Sequence, residues 1–191
     1  GAMGTAEGRL RPPEIEGIDA ARCDVDPSVA TLRPAFAALT VEAPEEAGLD
    51  DGTLAEAIRF QELLHATVGR DRRVASLGIY PLDRIEFPLR YACEPMDTVR
   101  FVPLDGTEET SAAQFYAEHP MALRYGALGR SGGSVLTLRD ARGSVLSLPP
   151  VLNARGAGEA RIGDRRLLLE STGASARSVR EALGLLQVVF V

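Results

Sequence analysis

A chain of 191 residues, 45% hydrophobic and 25% charged, has the bulk and composition of one sizeable globular domain, and no compositional break asks for two. Its formal charge of −6 argues against a protein whose main work is gripping nucleic acid nonspecifically, although all 21 basic residues are arginines and a local basic face stays open. Cys23 and Cys93 are too few and too far apart for a disulfide framework or a metal site, and no apolar run reaches spanning length. A soluble protein of a reducing cytoplasm, with no signal peptide, is expected.

Gly1-Ala2-Met3-Gly4 reads as a tag remnant, residues 1–8 as a flexible start, and residues 9–191 as the domain. Arg9 to Ala21, with Pro12-Pro13 and no periodicity, reads as an arm or a first irregular layer. After Arg33-Pro34, the run AFAALTVEA predicts a buried strand. Asp50 to Thr53 offers an N-cap for a helix outlined by Leu54, Ile58, Glu62, Leu63 and Leu64, with one apolar stripe and Gly69 as its stop. Val74 to Tyr80, Arg90 to Cys93 and Val99 to Leu104 read as strands. Thr110 or Ser111 caps a short helix, and His119-Pro120 interrupts it before Met121 to Leu128.

The alternating runs Val135 to Leu138 and Val145 to Leu148 flank the polar turn Arg139 to Ser144, which predicts a hairpin. Pro149-Pro150 removes two backbone donors, so the second arm ends there or follows a sheet edge. A further strand, Arg166 to Glu170, is expected to stop at a small polar turn, Ser171-Thr172-Gly173. A last helix starts near Ser175, with Val179, Ala182, Leu183, Leu186 and Val189 on one face. Strands and helices alternate irregularly, which predicts an α/β domain with a mixed sheet rather than a βαβ series.

Candidate chemistry is sparse. Dinucleotide, P-loop, HExxH and paired-cysteine motifs are absent, so no cofactor and no metal are expected. Strand ends that bring Ser147, Asn153, Glu170 and Thr172 together would make a polar pocket on a rigid sheet. His65 and His119 are the two histidines; His65 either complements a helix C-terminus or belongs to a site. The arginines cluster at Arg70, Arg72 and Arg73 and again at Arg155, Arg161, Arg165 and Arg166; a charge run of this kind is either a solvated face or a contact for a phosphate backbone.

Several stretches carry a resemblance. SVLSLPPVLN followed by LLLESTG, LLHATVGRDRRVASLGIYPLDRIEFPLRY, and VRFVPLDGTEETSAAQFYAEHP together resemble the editing domain of the phenylalanyl-tRNA synthetase beta subunit, archaeal and eukaryotic type. The likeness runs from about Asp24 to about Phe190. It implies one α/β domain of mixed β-sheets layered against helices. It also implies hydrolysis of tyrosine, or of a hydroxylated analogue such as meta-tyrosine, wrongly esterified to the tRNA for phenylalanine, by a free-standing protein or a domain cut from a beta subunit.

By the same resemblance, Leu138, Ser147, Glu170 and Thr172 match the positions that line the amino-acid pocket. Asn153 and His65 match two further family positions, and Ser147, Asn153 and Thr172 are the candidates for positioning water. Glu170 departs from the family's Asp; its carboxylate either reaches deeper into the pocket or folds back on an arginine such as Arg166. The arginine clusters become candidate contacts for the tRNA acceptor end, with a phenylalanyl-tRNA synthetase as a possible partner. The alternative reading is a non-catalytic module that binds tRNA or aminoacyl-tRNA.

Overall fold

The computed structural model describes residues 22–43 and 48–190. The tag-like start and the expected arm, Arg9 to Ala21, lie outside the described residues, as do residues 44–47.

Two sheets stacked face to face carry the structure, with helices on both outer sides. The smaller sheet has the order β2 (Ala35–Glu42), β11 (Arg166–Gly173), β3 (Ala75–Pro81), all antiparallel. The larger sheet runs β1 (Cys23–Val25), β4 (Leu89–Pro95), β8 (Ser134–Arg139), β9 (Val145–Leu148), β10 (Leu152–Asn153), with β7 (Arg130–Ser131) also on β8. Its β1–β4 pairing is parallel and the others are antiparallel, so the expected mixed sheet is present. A short β5–β6 pair (Arg100–Phe101 and Thr110–Ser111) stands apart.

Alternation along the strands sorts side chains into three layers. Phe36, Tyr80 and Leu168 meet Tyr91, Leu136, Leu138 and Leu146 between the two sheets. Leu77, Ile79, Leu167 and Leu169, on the opposite face of the smaller sheet, pack under α1 (Asp51–Ala66) and α4 (Ala176–Gln187). Val135, Val145 and Leu148, on the outer face of the larger sheet, pack against Phe115, Tyr116 and Tyr125 of α2 (Ala112–Glu118) and α3 (Pro120–Tyr125). The result is helix, sheet, sheet, helix.

Helix starts follow local chemistry. Asp50, Ser111 and Ser175 each accept a hydrogen bond from a backbone N–H of the first turn, at 2.6, 3.1 and 3.2 Å. His119 does the same for α3, accepting from the Met121 N–H at 3.2 Å, and its ring stacks on Phe115. Val99 to Leu104 forms a strand only at Arg100–Phe101. Ser171-Thr172-Gly173 is no turn: β11 runs through Gly173, paired on both sides with Phe36 and Ser76 opposite Thr172. Polar residues there are tolerated because Ser171 and Thr172 both find partners, Ser171 Oγ donating to the Ser76 carbonyl at 2.9 Å.

Candidate functional site

A cavity of about 210 Å³ opens between α1, β3 and the segment 147–153. Its wall is mostly apolar, with Leu54, Ile58, Leu77, Ile79, Leu148 and Leu152 among the lining residues. Polar groups enter from two sides: Glu62, His65 and Arg72 at one, Tyr80, Ser147 and Glu170 at the other. A concave apolar pocket with a few convergent polar groups is the arrangement that small ligands use.

Ser147 faces inward because the β8–β9 ladder is irregular. Leu138 pairs with Ser147 but Arg139 with Val145, so Leu146 is an extra residue. Strict alternation would put Ser147 on the face of Val145, in the outer layer. The bulge turns Ser147 toward the other sheet instead, where its Oγ lies 2.9 Å from Tyr80 Oη. Tyr80 Oη also lies 3.1 Å from Glu170 Oε2.

Glu170 sits on the central strand of the smaller sheet, opposite Gly78 on one side and Ala38 on the other. Those small neighbours leave room for the carboxyl and for the Tyr80 ring. A Cβ added at Gly78 would lie 2.4 Å from Tyr80 Oη, so the ring lies directly over the Gly78 backbone. Glu170 is 3% exposed, and its Oε1 accepts no hydrogen bond. Burial pushes its carboxyl up to about 7, against the opposing pull of the Tyr80 hydroxyl and the Arg33 guanidinium. Tyr80 is itself held well above its usual range by burial and by Glu170.

A second network holds the opposite rim. His65 Nε2 accepts from the Leu77 N–H at 2.8 Å, which leaves Nδ1 to donate to Glu62 at 3.1 Å. Burial lowers the His65 pKa, and the ring is neutral in this tautomer. Its hydrogen bond, with Arg72, brings Glu62 down to about 2. Arg72 donates to Glu62 at 2.9 Å and to the carbonyls of Pro150 and Val151 at 3.0 and 2.9 Å, under the ring of Tyr125. Asn153 closes the wall, its amide donating to the carbonyls of Ile79 at 3.3 Å and Gly158 at 3.0 Å.

Of the residues expected at a site, Ser147, Asn153, Glu170 and His65 line this cavity together. Two stand behind it. Leu138 is fully buried between the sheets, and Thr172, also fully buried, points its hydroxyl at Ser76 Oγ, 3.1 Å away. Neither reaches the lining. Glu170 does not fold back on Arg166, which is exposed and ion-paired with Asp83.

Arg72 requires the largest correction among the arginines. It is buried, and its donors face the protein interior rather than a phosphate backbone. Arg70, Arg73, Arg155, Arg161, Arg165 and Arg166 are exposed, though Arg161 pairs with Glu159. They do not form one patch. Arg70 and Arg73 precede the Ala75 end of β3, while Arg165 and Arg166 lie by its Pro81 end, about 20 Å away at ~3.3 Å per residue.

Tyr80, Glu62 and Arg33 carry the site's polar networks, and the sequence marked none of the three as a site residue. Arg33 donates to Ser76 Oγ at 3.0 Å and the Arg72 carbonyl at 2.8 Å, and burial lowers its pKa against the opposing pull of Tyr91 and Glu170. The one signal available was Gly78-Ile79-Tyr80, a glycine two residues before an aromatic on the same strand face.

No protein-family profile matches the chain. Curated relatives do. The phenylalanine–tRNA ligase beta subunit of Pyrococcus furiosus is 31% identical over 185 residues, 97% of this chain and 32% of that protein. The beta subunit of Methanocorpusculum labreanum is 32% identical over 169 residues, 87% of this chain and 30% of that protein. A solved N-terminal fragment of the phenylalanyl-tRNA synthetase beta subunit from Pyrococcus horikoshii superposes with a TM-score of 0.83 at 28% identity, covering 94% of this chain and 50% of that fragment. The chain is related in sequence and fold to the N-terminal region of phenylalanyl-tRNA synthetase beta subunits. It spans about a third of the length of those two beta subunits. No helix among the described residues is long and apolar enough to cross a membrane.

Proposed function

We propose that this beta-subunit-like domain hydrolyses the ester of a mischarged aminoacyl-tRNA, working in the cytoplasm on the acceptor end of the tRNA for phenylalanine. The expected cargo is tyrosine or a hydroxylated phenylalanine analogue such as meta-tyrosine. A phenylalanyl-tRNA synthetase is the expected partner, as the source of the mischarged product. The observation that carries the reading is the cavity between α1 and segment 147–153, with Tyr80, Ser147 and Glu170 at its polar side. At about 210 Å³ it exceeds the ~150 Å³ that holds benzene in an engineered protein cavity, so an aromatic side chain fits by volume.

In the proposed reaction, water attacks the acyl carbon, the ester C–O bond breaks, and the terminal ribose oxygen leaves with the proton. The ester is activated, so holding water and substrate in register supplies much of the rate. Asn153, in the lining, is the proposed water-positioning group; Ser147, held by Tyr80, is assigned to the ring end, and Thr172, behind the wall, acts through Ser76 and Arg33. A pocket that hydrogen-bonds a hydroxyl discriminates against the analogue lacking it, because the buried partners would be left unpaired at ~1–3 kcal/mol each.

One observation favours a second reading, a non-catalytic aminoacyl-tRNA-binding module: Ser147 and one oxygen of Glu170 already have Tyr80 as a partner. Release of amino acid from tRNA for phenylalanine charged with phenylalanine, tyrosine or meta-tyrosine decides between them. At least one hydroxylated ester should be cleaved about tenfold or more faster than the phenylalanyl ester. Equal rates overturn the discrimination, and a tRNA shift without release supports the binding module.

A further inference from the structure

Two independent observations concern Tyr80. Its hydroxyl occupies the two groups that the proposed reading assigns to a substrate hydroxyl, 2.9 Å from Ser147 Oγ and 3.1 Å from Glu170 Oε2. Its ring is seated over a glycine whose replacement by any larger residue would put a Cβ 2.4 Å from that hydroxyl. The side chain is 1% exposed, so this position belongs to the packed core and is not one conformer of a mobile rim. We infer that Tyr80 is the specificity-determining residue of the pocket, supplying from the protein itself the phenol that Ser147 and Glu170 bind. This rests on the ester-hydrolase reading and narrows its substrate.

A 4-hydroxyphenyl side chain and Tyr80 cannot hold the same two partners at once. The cavity that remains beside Tyr80 is lined by Leu77, Ile79, Leu148 and Leu152. The second carboxylate oxygen, Glu170 Oε1, stays without a donor. A hydroxyl at the ring's meta position has a different approach to Glu170, so the substrate class is an aminoacyl ester with a side chain shorter than 4-hydroxyphenyl, meta-tyrosine included. Para-tyrosine is excluded.

The test compares the protein with Tyr80→Phe and Tyr80→Ala on tRNA for phenylalanine charged with para- or meta-tyrosine. The unaltered protein should favour the meta ester about tenfold or more, and Tyr80→Ala should raise para turnover by about the same factor. Tyr80→Phe keeps the ring in place and should not admit the para ester. A para rate equal to the meta rate in the unaltered protein, or an unchanged ratio in Tyr80→Ala, overturns the inference. Tyr80→Leu replaces the alanine variant if that chain does not fold.

If no form cleaves any ester, the hydrolase reading fails and the assignment of Tyr80 is decided by ligand rescue. Para-cresol, but not toluene, should raise the melting temperature of the truncated variant, because only the phenol restores partners to Ser147 and Glu170. Equal stabilisation by the two compounds, or none by either, overturns it.

Discussion

Glu170 illustrates how position alone can reassign a side chain's chemistry. One carboxyl on the central strand, sealed between two sheets, has its pKa raised from 4.5 to about 7, equivalent to ~3 kcal/mol against the ionised form. Between these values the folded chain holds a proton that the unfolded chain has lost, so this group makes stability fall as pH rises from 4.5 to about 7. His65 works in the opposite sense: its lowered pKa contributes stability present above 6.5 and lost as pH falls through the folded value. Glu170→Gln removes only the first effect. In urea titrations, the variant should gain on the parent as pH rises from 5 to 8, by up to ~3 kcal/mol. A constant difference across that range would mean that Glu170 stays ionised in the fold.

At the scale of elements, the α1–β3 connection holds the non-glycine residues of positive φ among the described residues. Arg70, Asp71 and Arg72 take φ of 48°, 56° and 64°, three consecutive residues in the left-handed region without a glycine. Each costs roughly 1–2 kcal/mol, so the surroundings must hold them there. They do: Tyr125 Oη donates to Asp71 at 3.1 Å, and Arg72 is held through Glu62, Pro150 and Val151. The turn therefore fastens α1 to the Pro149-Pro150 segment that forms one wall of the cavity.

Glycine substitutions separate backbone strain from side-chain bonding at this turn. Arg70→Gly should be neutral to ~1 kcal/mol stabilising, since relief of strain outweighs the added unfolded-state freedom at an exposed position. Arg72→Gly gains the same relief but leaves Glu62 with His65 alone and two carbonyls unpartnered, and should lose ~2–3 kcal/mol in chemical denaturation. Arg72→Lys should recover only part of that loss, because an ammonium lacks the planar fork that meets three acceptors.

For the molecule as a whole, the net charge of −6 and the separation of the two exposed arginine groups leave room only for local, weak contact with the tRNA of the proposed reaction. Removing Arg70 and Arg73 as charge reversals should weaken tRNA binding uniformly and flatten the log–log salt slope by about 1 per lost phosphate contact. Reversing Arg165 and Arg166 tests the other end of the sheet in the same titration. Unchanged slopes for both pairs would move the RNA face elsewhere.

The elements themselves were legible from local chemistry. Asp50, Ser111 and Ser175 announce their helices, the 139–144 turn announces its hairpin, and the periodicity of Val179 to Leu186 marks the buried face of α4. These signals are short-range, since capping and alternation depend on neighbours within a few residues. Four of the expected pocket residues, His65, Ser147, Asn153 and Glu170, do meet at one cavity.

What the sequence could not show was which side of each strand faces which layer, and who sits across from whom. Ser147 turns inward through a bulge that breaks the alternation by which it would be read. Arg72 looks like one more charge in an exposed run, and only the left-handed turn carries it under Tyr125 into the interior. Tyr80 reads as a hydrophobic strand residue until β11 places Glu170 opposite Gly78 and the larger sheet brings Ser147 across the gap. Burial of a charge and the pairing of a hydroxyl depend on residues 67 and 90 positions away in the chain, so they exist only once the sheets are stacked.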